Sequence, residues 1–155
     1  MKKKLLLVLP LLLMSIGNAS CGSKKTLTIW VGAESVDFYT AKMDEYAANY
    51  KTETGKELPA YVVKGVDSGS AAAVYLQDTE AGPDIFTIPH DNLGKLTEGS
   101  STIAPITDQA LLDQIENDNP ESFKVAAKSN VQGTEYVFGI PFSISLHTLA
   151  GITIV

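Results

Sequence analysis

Arginine is absent from all 155 residues. No bidentate guanidinium clamp on a phosphate or carboxylate ligand is therefore available. Twelve lysines face 18 acidic residues, for a formal net charge of −6. Nucleic-acid binding depends on cations that neutralise phosphates, and this balance excludes it as a function class. Cysteine occurs once, at Cys21, so no disulfide closes within the chain and the fold must hold by its core alone. The two histidines, His90 and His147, have no Cys, His or paired carboxylate at metal-ligand spacing. Neither a metal nor another cofactor is expected. Internal repeats and low-complexity segments are also missing.

What is present begins with a leader. Lys2, Lys3 and Lys4 precede an apolar run from Leu5 to about Ile16, and small residues follow at Gly17, Ala19 and Ser20. That is the layout of a cleavable secretory signal over residues 1–20. The run is too short to span a bilayer, which needs roughly twenty apolar residues, and Pro10 interrupts it. A buried core helix would carry a polar face, and this stretch has none. Asn18-Ala19-Ser20-Cys21 resembles the bacterial lipoprotein box, with Asn18 where a Leu-like residue is usual. The Cys21 thiol is the group in the leader that accepts a lipid thioether. The alternative is plain cleavage near Ala19. Export is expected either way, with a membrane anchor through lipid in the first case.

Beyond the leader lie about 135 residues, enough for one domain and one core. Nine lysines and 18 acidic residues remain there, a net charge of about −9. Such a surface suits neutral or cationic small molecules. Residues 21–25 read as a short polar tether. Thr26 to Val31 alternates and then turns apolar, as a strand entering a buried sheet does. From Ser35 to Thr54, Val36, Tyr39, Met43, Tyr46, Ala47 and Tyr50 recur at helical spacing, which predicts a core-facing stripe. Gly55 stops that helix. Leu58 to Lys64 reads as a second strand. Asp67 caps a helix over about 68–80. Ile85 to Ile88 is a third strand, and Asp91 caps a short helix through about Leu96. Ile103 to Ile106 is an extended piece. Thr107 or Asp108 opens a helix to about Glu116, and Asn119-Pro120 opens the next. A Gln132-Gly133 turn precedes a strand from Glu135 to Ile140.

Strands alternating with helices imply a layered α/β domain with a largely parallel sheet. Ligands of such sheets bind at the carboxyl ends of the strands. That points to the loops after Val31, Ile88 and Ile140.

Gly82-Pro83-Asp84-Ile85-Phe86, followed by His90-Asp91-Asn92-Leu93-Gly94, resembles a segment of the maltose-type extracellular solute-binding proteins. These are the capture components of bacterial sugar ABC importers. Leu27-Thr28-Ile29-Trp30 and Val137-Phe138-Gly139-Ile140-Pro141 match the same family in the expected order. The resemblance covers residues 26 to about 149. It implies the type II periplasmic-binding-protein fold, of which this chain would be the N-terminal layered α/β/α lobe. It also implies a sugar ligand held between two lobes, an ABC permease as partner, and no enzymatic chemistry.

By the same resemblance Glu34 stands where the family places a sugar-contacting acid, and Asp91 matches its cleft Asp. Ser35 and Asn92 replace basic residues, and Ser145 replaces an acidic one. Ile88 stands where maltose binders offer an aromatic platform. These five polar residues are the candidate ligand contacts. Plainer readings accompany them: Asp91 as a helix cap, Glu34 as a solvated loop carboxylate, His90 as a structural hydrogen bonder. A surface lipoprotein for adhesion or sensing is the alternative function. A glycosidase would pair two carboxylates about a bond, and Glu34 with Asp91 would be that pair. Family members run to more than twice this length, and residues 150–155 diverge from them. The chain therefore reads as a truncated lobe ending at 149, lacking the late segment that completes its sheet and exposing apolar surface.

Overall fold

The alternation that starts at Thr26 becomes strand β1 (Leu27–Val31), whose Ile29 and Val31 are buried. The structure is a computed structural model, and it describes residues 26–99, 101–141 and 150–154. A single 3-10 turn, Ala33–Ser35, leads into helix α1 (Val36–Thr54). Gly55 ends α1 at φ 70°, its N–H donating to the carbonyl of Lys51 at 3.0 Å. Only a residue without Cβ adopts that conformation cheaply. Strand β2 (Tyr61–Gly65) follows, then helix α2 (Ser68–Gln77) and strand β3 (Ile85–Pro89).

The sheet order is β2-β1-β3-β7-β6, with β6 at Ile140–Pro141 and β7 at Ala150–Ile154. β1 pairs in parallel with both β2 and β3. β7 runs antiparallel to β3 and to β6. Four strands thus share one direction and β7 opposes them, so the expected layered α/β lobe with a largely parallel sheet is what forms. The sequence reading ended the lobe at 149. The sheet continues past that point: Ala150–Ile154 pairs with the full length of β3, from Pro89↔Ala150 to Ile85↔Ile154.

The chain moves one way from β1 to β2 and the opposite way from β2 to β3. Right-handed crossovers therefore put α1 and α2 on opposite faces. The α2 face carries the core. Ala71, Ala72 and Tyr75 of α2 pack with Phe86 and Ile88 of β3, and with Leu93 and Leu96 of helix α3 (Leu93–Thr97). Tyr75 and Phe86 lie 5.2 Å apart between ring centroids, and the Tyr75 hydroxyl donates to the Thr102 carbonyl at 2.6 Å. Gly82 is required here. A Cβ at that position would lie 2.6 Å from the Tyr75 ring.

The other face is thinner. No residue of α1 is buried, and Phe38 and Tyr46 are 59% and 55% exposed. The stripe expected to face the core does so in part: Val36, Tyr39, Met43, Ala47 and Tyr50 are partly buried, and Tyr46 stays exposed. Its helix packs mainly on β2, which is an edge strand and gives the helix little to bury against.

The remaining segments wrap the core side. Ile103 and Ile106 are buried, but in a loop rather than the extended piece expected. Helix α4 (Gln109–Asp118) is capped by Asp108, which accepts from the Leu111 N–H at 2.9 Å. Helix α5 (Glu121–Ala126) follows Pro120. Strands β4 (Lys128–Val131) and β5 (Thr134–Val137) then form a separate hairpin. Its turn is Gln132-Gly133, with φ 52° and 87°. Positive φ at both central residues is the type I′ turn that matches strand twist. The hairpin is tied to α3 where the hydroxyls of Thr97 and Ser129 meet at 2.7 Å.

Candidate ligand-binding site

Because β1, β2 and β3 run in parallel, their carboxyl ends reach one edge of the sheet. Three connections start there: residues 32–35, 66–67 and 90–92. They are laced together. The Val66 N–H donates to the Val31 carbonyl at 2.8 Å. Gly65 lies so close to the first loop that a Cβ on it would sit 3.1 Å from the Ala33 Cα.

Glu34 and Asp91 both occupy this edge, in different loops, and both are exposed. The Glu34 carboxylate folds back over its own loop. A Cβ at Gly32 would meet its Oε1 at 2.5 Å, so the glycine leaves room for that pose. Ser35 is partly buried and serves as the N-cap residue of α1 without a side-chain cap bond; its N–H donates to the Gly32 carbonyl at 2.9 Å. The hydroxyl is left to other partners. Asp67, at the end of β2, caps α2 as expected, accepting from the Ser70 N–H at 2.9 Å.

Asp91 is not the helix cap that the sequence suggests. A 3-10 turn, His90–Asn92, intervenes after β3, and the N-cap of α3 is Asn92, with no side-chain cap bond. The extra turn moves the helix start past Asp91 and leaves its carboxylate exposed.

Asn92 lies deeper than a ligand contact would. It is 5% exposed. Its amide N–H donates to the Gly69 carbonyl at 3.3 Å, and its amide oxygen accepts from Lys95 Nζ at 2.6 Å. Both ends of the amide are used to hold the third loop against the start of α2. Ser145 and Cys21 lie outside the described residues. Among the described residues no group of three or more potential metal ligands occurs, and no helix is long and apolar enough to cross a membrane.

A feature that the sequence reading missed adjoins this edge. A groove of about 380 Å3 opens between α3, α5 and β4, walled by His90, Leu93, Gly94, Ser122, Val125 and Lys128 among others. Its far wall depends on β4. Lys128-Ser129-Asn130-Val131 carries little apolar alternation, so the hairpin could be found only from the Gln132-Gly133 turn that precedes β5.

What this arrangement offers a ligand is a set of hydrogen-bond acceptors. Exposed carboxylates on strand-end loops accept hydrogen bonds from hydroxyls, and charge-assisted bonds of that kind are the stronger ones.

No family model matches the sequence, and no curated protein matches it. Solved structures do. A maltodextrin-binding protein from L. casei BL23 superposes with a TM-score of 0.60 at 20% identity, over 77% of this chain and 29% of that one. An extracellular solute-binding protein from Staphylococcus aureus, solved in complex with maltose, gives 0.55 at 21% identity, over 75% and 28%. The maltose-binding periplasmic protein of Listeria monocytogenes, also with maltose, gives 0.52 at 18%, over 76% and 27%. The chain spans less than a third of the length of each. Over about three-quarters of its residues, the chain has the fold found in part of the maltose-type extracellular solute-binding proteins.

Proposed function

We infer that this chain belongs to a capture protein for an extracellular sugar or oligosaccharide, delivered to an ABC importer. The observation that carries the reading is the sheet edge. Three parallel strands deliver three laced loops to one place, on a fold whose solved examples include sugar complexes. Glu34 and Asp91 are the ligand contacts, accepting from sugar hydroxyls, and Ser35 and Ser145 add a hydroxyl each. Asn92 acts from behind, by holding the third loop. The chain performs no catalysis. Export follows from the leader over residues 1–20, with Cys21 as the site of lipid attachment and the outer face of the membrane as location. Residues 26–149, with β7 completing their sheet, form the binding lobe, and the importer permease is its macromolecular partner.

The test is isothermal titration of the purified chain with a panel of neutral sugars, repeated on Asp91→Asn and Glu34→Gln. Each substitution removes a charge-assisted bond of about 1.5–3 kcal/mol, which weakens a bound sugar about tenfold or more. Binding that is unchanged in both variants sinks the assignment of these carboxylates. Release of reducing ends from an oligosaccharide would show an enzyme instead.

A further inference from the structure

We propose that the groove between α3, α5 and β4 is a second ligand subsite, and that it takes the acidic group of a carboxylate-bearing saccharide. The proposal rests on the sugar-capture reading and names the ligand class for it. Its basis is a contrast in charge. The sheet-edge loops present Glu34, Asp67 and Asp91. The groove, in a chain with 18 acidic residues, has no carboxylate in its lining, and its ionisable groups are His90 and Lys128. An anion is repelled at the edge and met by donors in the groove.

The geometry supports occupancy. About 380 Å3 lies within the range of small-molecule sites. Val125 is 61% exposed and offers apolar surface to the C–H face of a sugar ring. Ser122 adds a hydroxyl at the α5 wall. Lys128 faces two exposed carboxylates: its ammonium stands 3.6 Å from Glu135, and its charge helps, after Lys124, to hold Glu116 below its ordinary value; exposed pairs of that kind hold little energy. A ligand carboxylate therefore competes for it on favourable terms. His90 belongs both to the third strand-end loop and to the groove wall. An acidic sugar ring bound in the groove therefore lies beside that loop.

Gly94 supplies the test. A Cβ there would meet nothing within 4 Å, so the groove wall has open space for a larger side chain at this position. Leucine is also a better helix former than glycine. The purified chain, labelled with nitrogen-15, is titrated with digalacturonate and separately with maltose. Digalacturonate is expected to shift the amides of Gly94, Ser122 and Lys128. Lys128→Gln is expected to weaken digalacturonate about tenfold and to leave maltose unchanged. Gly94→Leu is expected to abolish the groove shifts while the melting temperature holds or rises. Equal digalacturonate affinity in Lys128→Gln, or shifts confined to the strand-end loops, overturns the groove and leaves sugar capture standing. Groove binding of digalacturonate that is indifferent to Asp91→Asn and Glu34→Gln, with no response to neutral sugars, upholds the groove and overturns the edge assignment. No response to either saccharide overturns both.

Discussion

Asp84 and Thr28 hold each other by two hydrogen bonds between residues 56 positions apart. The Thr28 N–H donates to the Asp84 carboxylate at 2.8 Å, and the Asp84 N–H donates to the Thr28 carbonyl at 2.8 Å. The pair sits at the amino ends of β1 and β3, at the opposite edge from the ligand loops. It fixes the register in which Ile29 meets Ile85 and Trp30 meets Phe86. A slip of β3 by one residue would turn its side chains to the wrong faces of the sheet. The site at the far edge depends on this pairing, because it sets where each strand ends.

Asp84→Ala should destabilise the fold by about 1–3 kcal/mol, the cost of leaving a partly buried amide without its acceptor. Asp84→Asn retains an acceptor oxygen and should lose less. Urea denaturation of the three proteins orders them. An Ala variant as stable as the parent would show that the clasp adds nothing beyond the sheet ladder.

Tyr75 predicts an alkaline limit. Burial pushes its phenol above the ordinary tyrosine value of 10.0, because the ionised form loses hydration in the core. In the unfolded chain the same phenol ionises at its ordinary value. Above that value the unfolded state binds fewer protons than the folded state, so stability falls as pH rises. The contribution is fully present below pH 10 and is lost as pH climbs toward the folded value. Tyr75→Phe should reduce this alkaline loss. It should also cost about 0.5–1.5 kcal/mol at neutral pH, through the lost bond to the Thr102 carbonyl. Thermal melts of both proteins across pH 7 to 11 check it, and parallel curves would contradict the assignment.

The hairpin turn invites a stabilising change. Gln132 holds φ 52° beside Gly133 at 87°, and Asn is favoured over Gln at that place in a type I′ turn. Gln132→Asn should stabilise the chain by about 0.5 kcal/mol, a fraction of the ~1–2 kcal/mol that left-handed backbone costs an ordinary residue. A higher urea midpoint with unchanged slope is the expected result. A lower midpoint would mean that Gln132 makes a contact worth more than the strain.

Part of this structure is written locally and is legible as text. Asp67 and Asp108 cap the helices that follow them, because a capping side chain needs only the amides two or three residues on. Gly55 ends α1, and the alternation from Thr26 makes β1. The Gly82-Pro83-Asp84-Ile85-Phe86 segment also marks its strand, although its meaning is structural. Gly82 clears the Tyr75 ring, Asp84 clasps Thr28, and Phe86 is fully buried.

Other features depend on partners that no local pattern names. Lys128 to Val131 is a polar stretch made into a strand by β5 and by the hydroxyl contact to Thr97. Asn92 resembles a surface amide in the chain. It is buried because Gly69, 23 positions earlier, returns to it at the sheet edge. The Tyr stripe of α1 has helical spacing, yet spacing fixes only a common face and not the depth of the surface that receives it. The sequence by itself determined the order of elements from β1 to β3, the acidity and the strand-end position of Glu34 and Asp91, since these follow from backbone preference, charge and connectivity. Only the tertiary structure decided which polar groups remain free to meet a ligand. That choice depends on contacts between loops that are distant in the chain, and those contacts exist once the parallel sheet has brought the strand ends together.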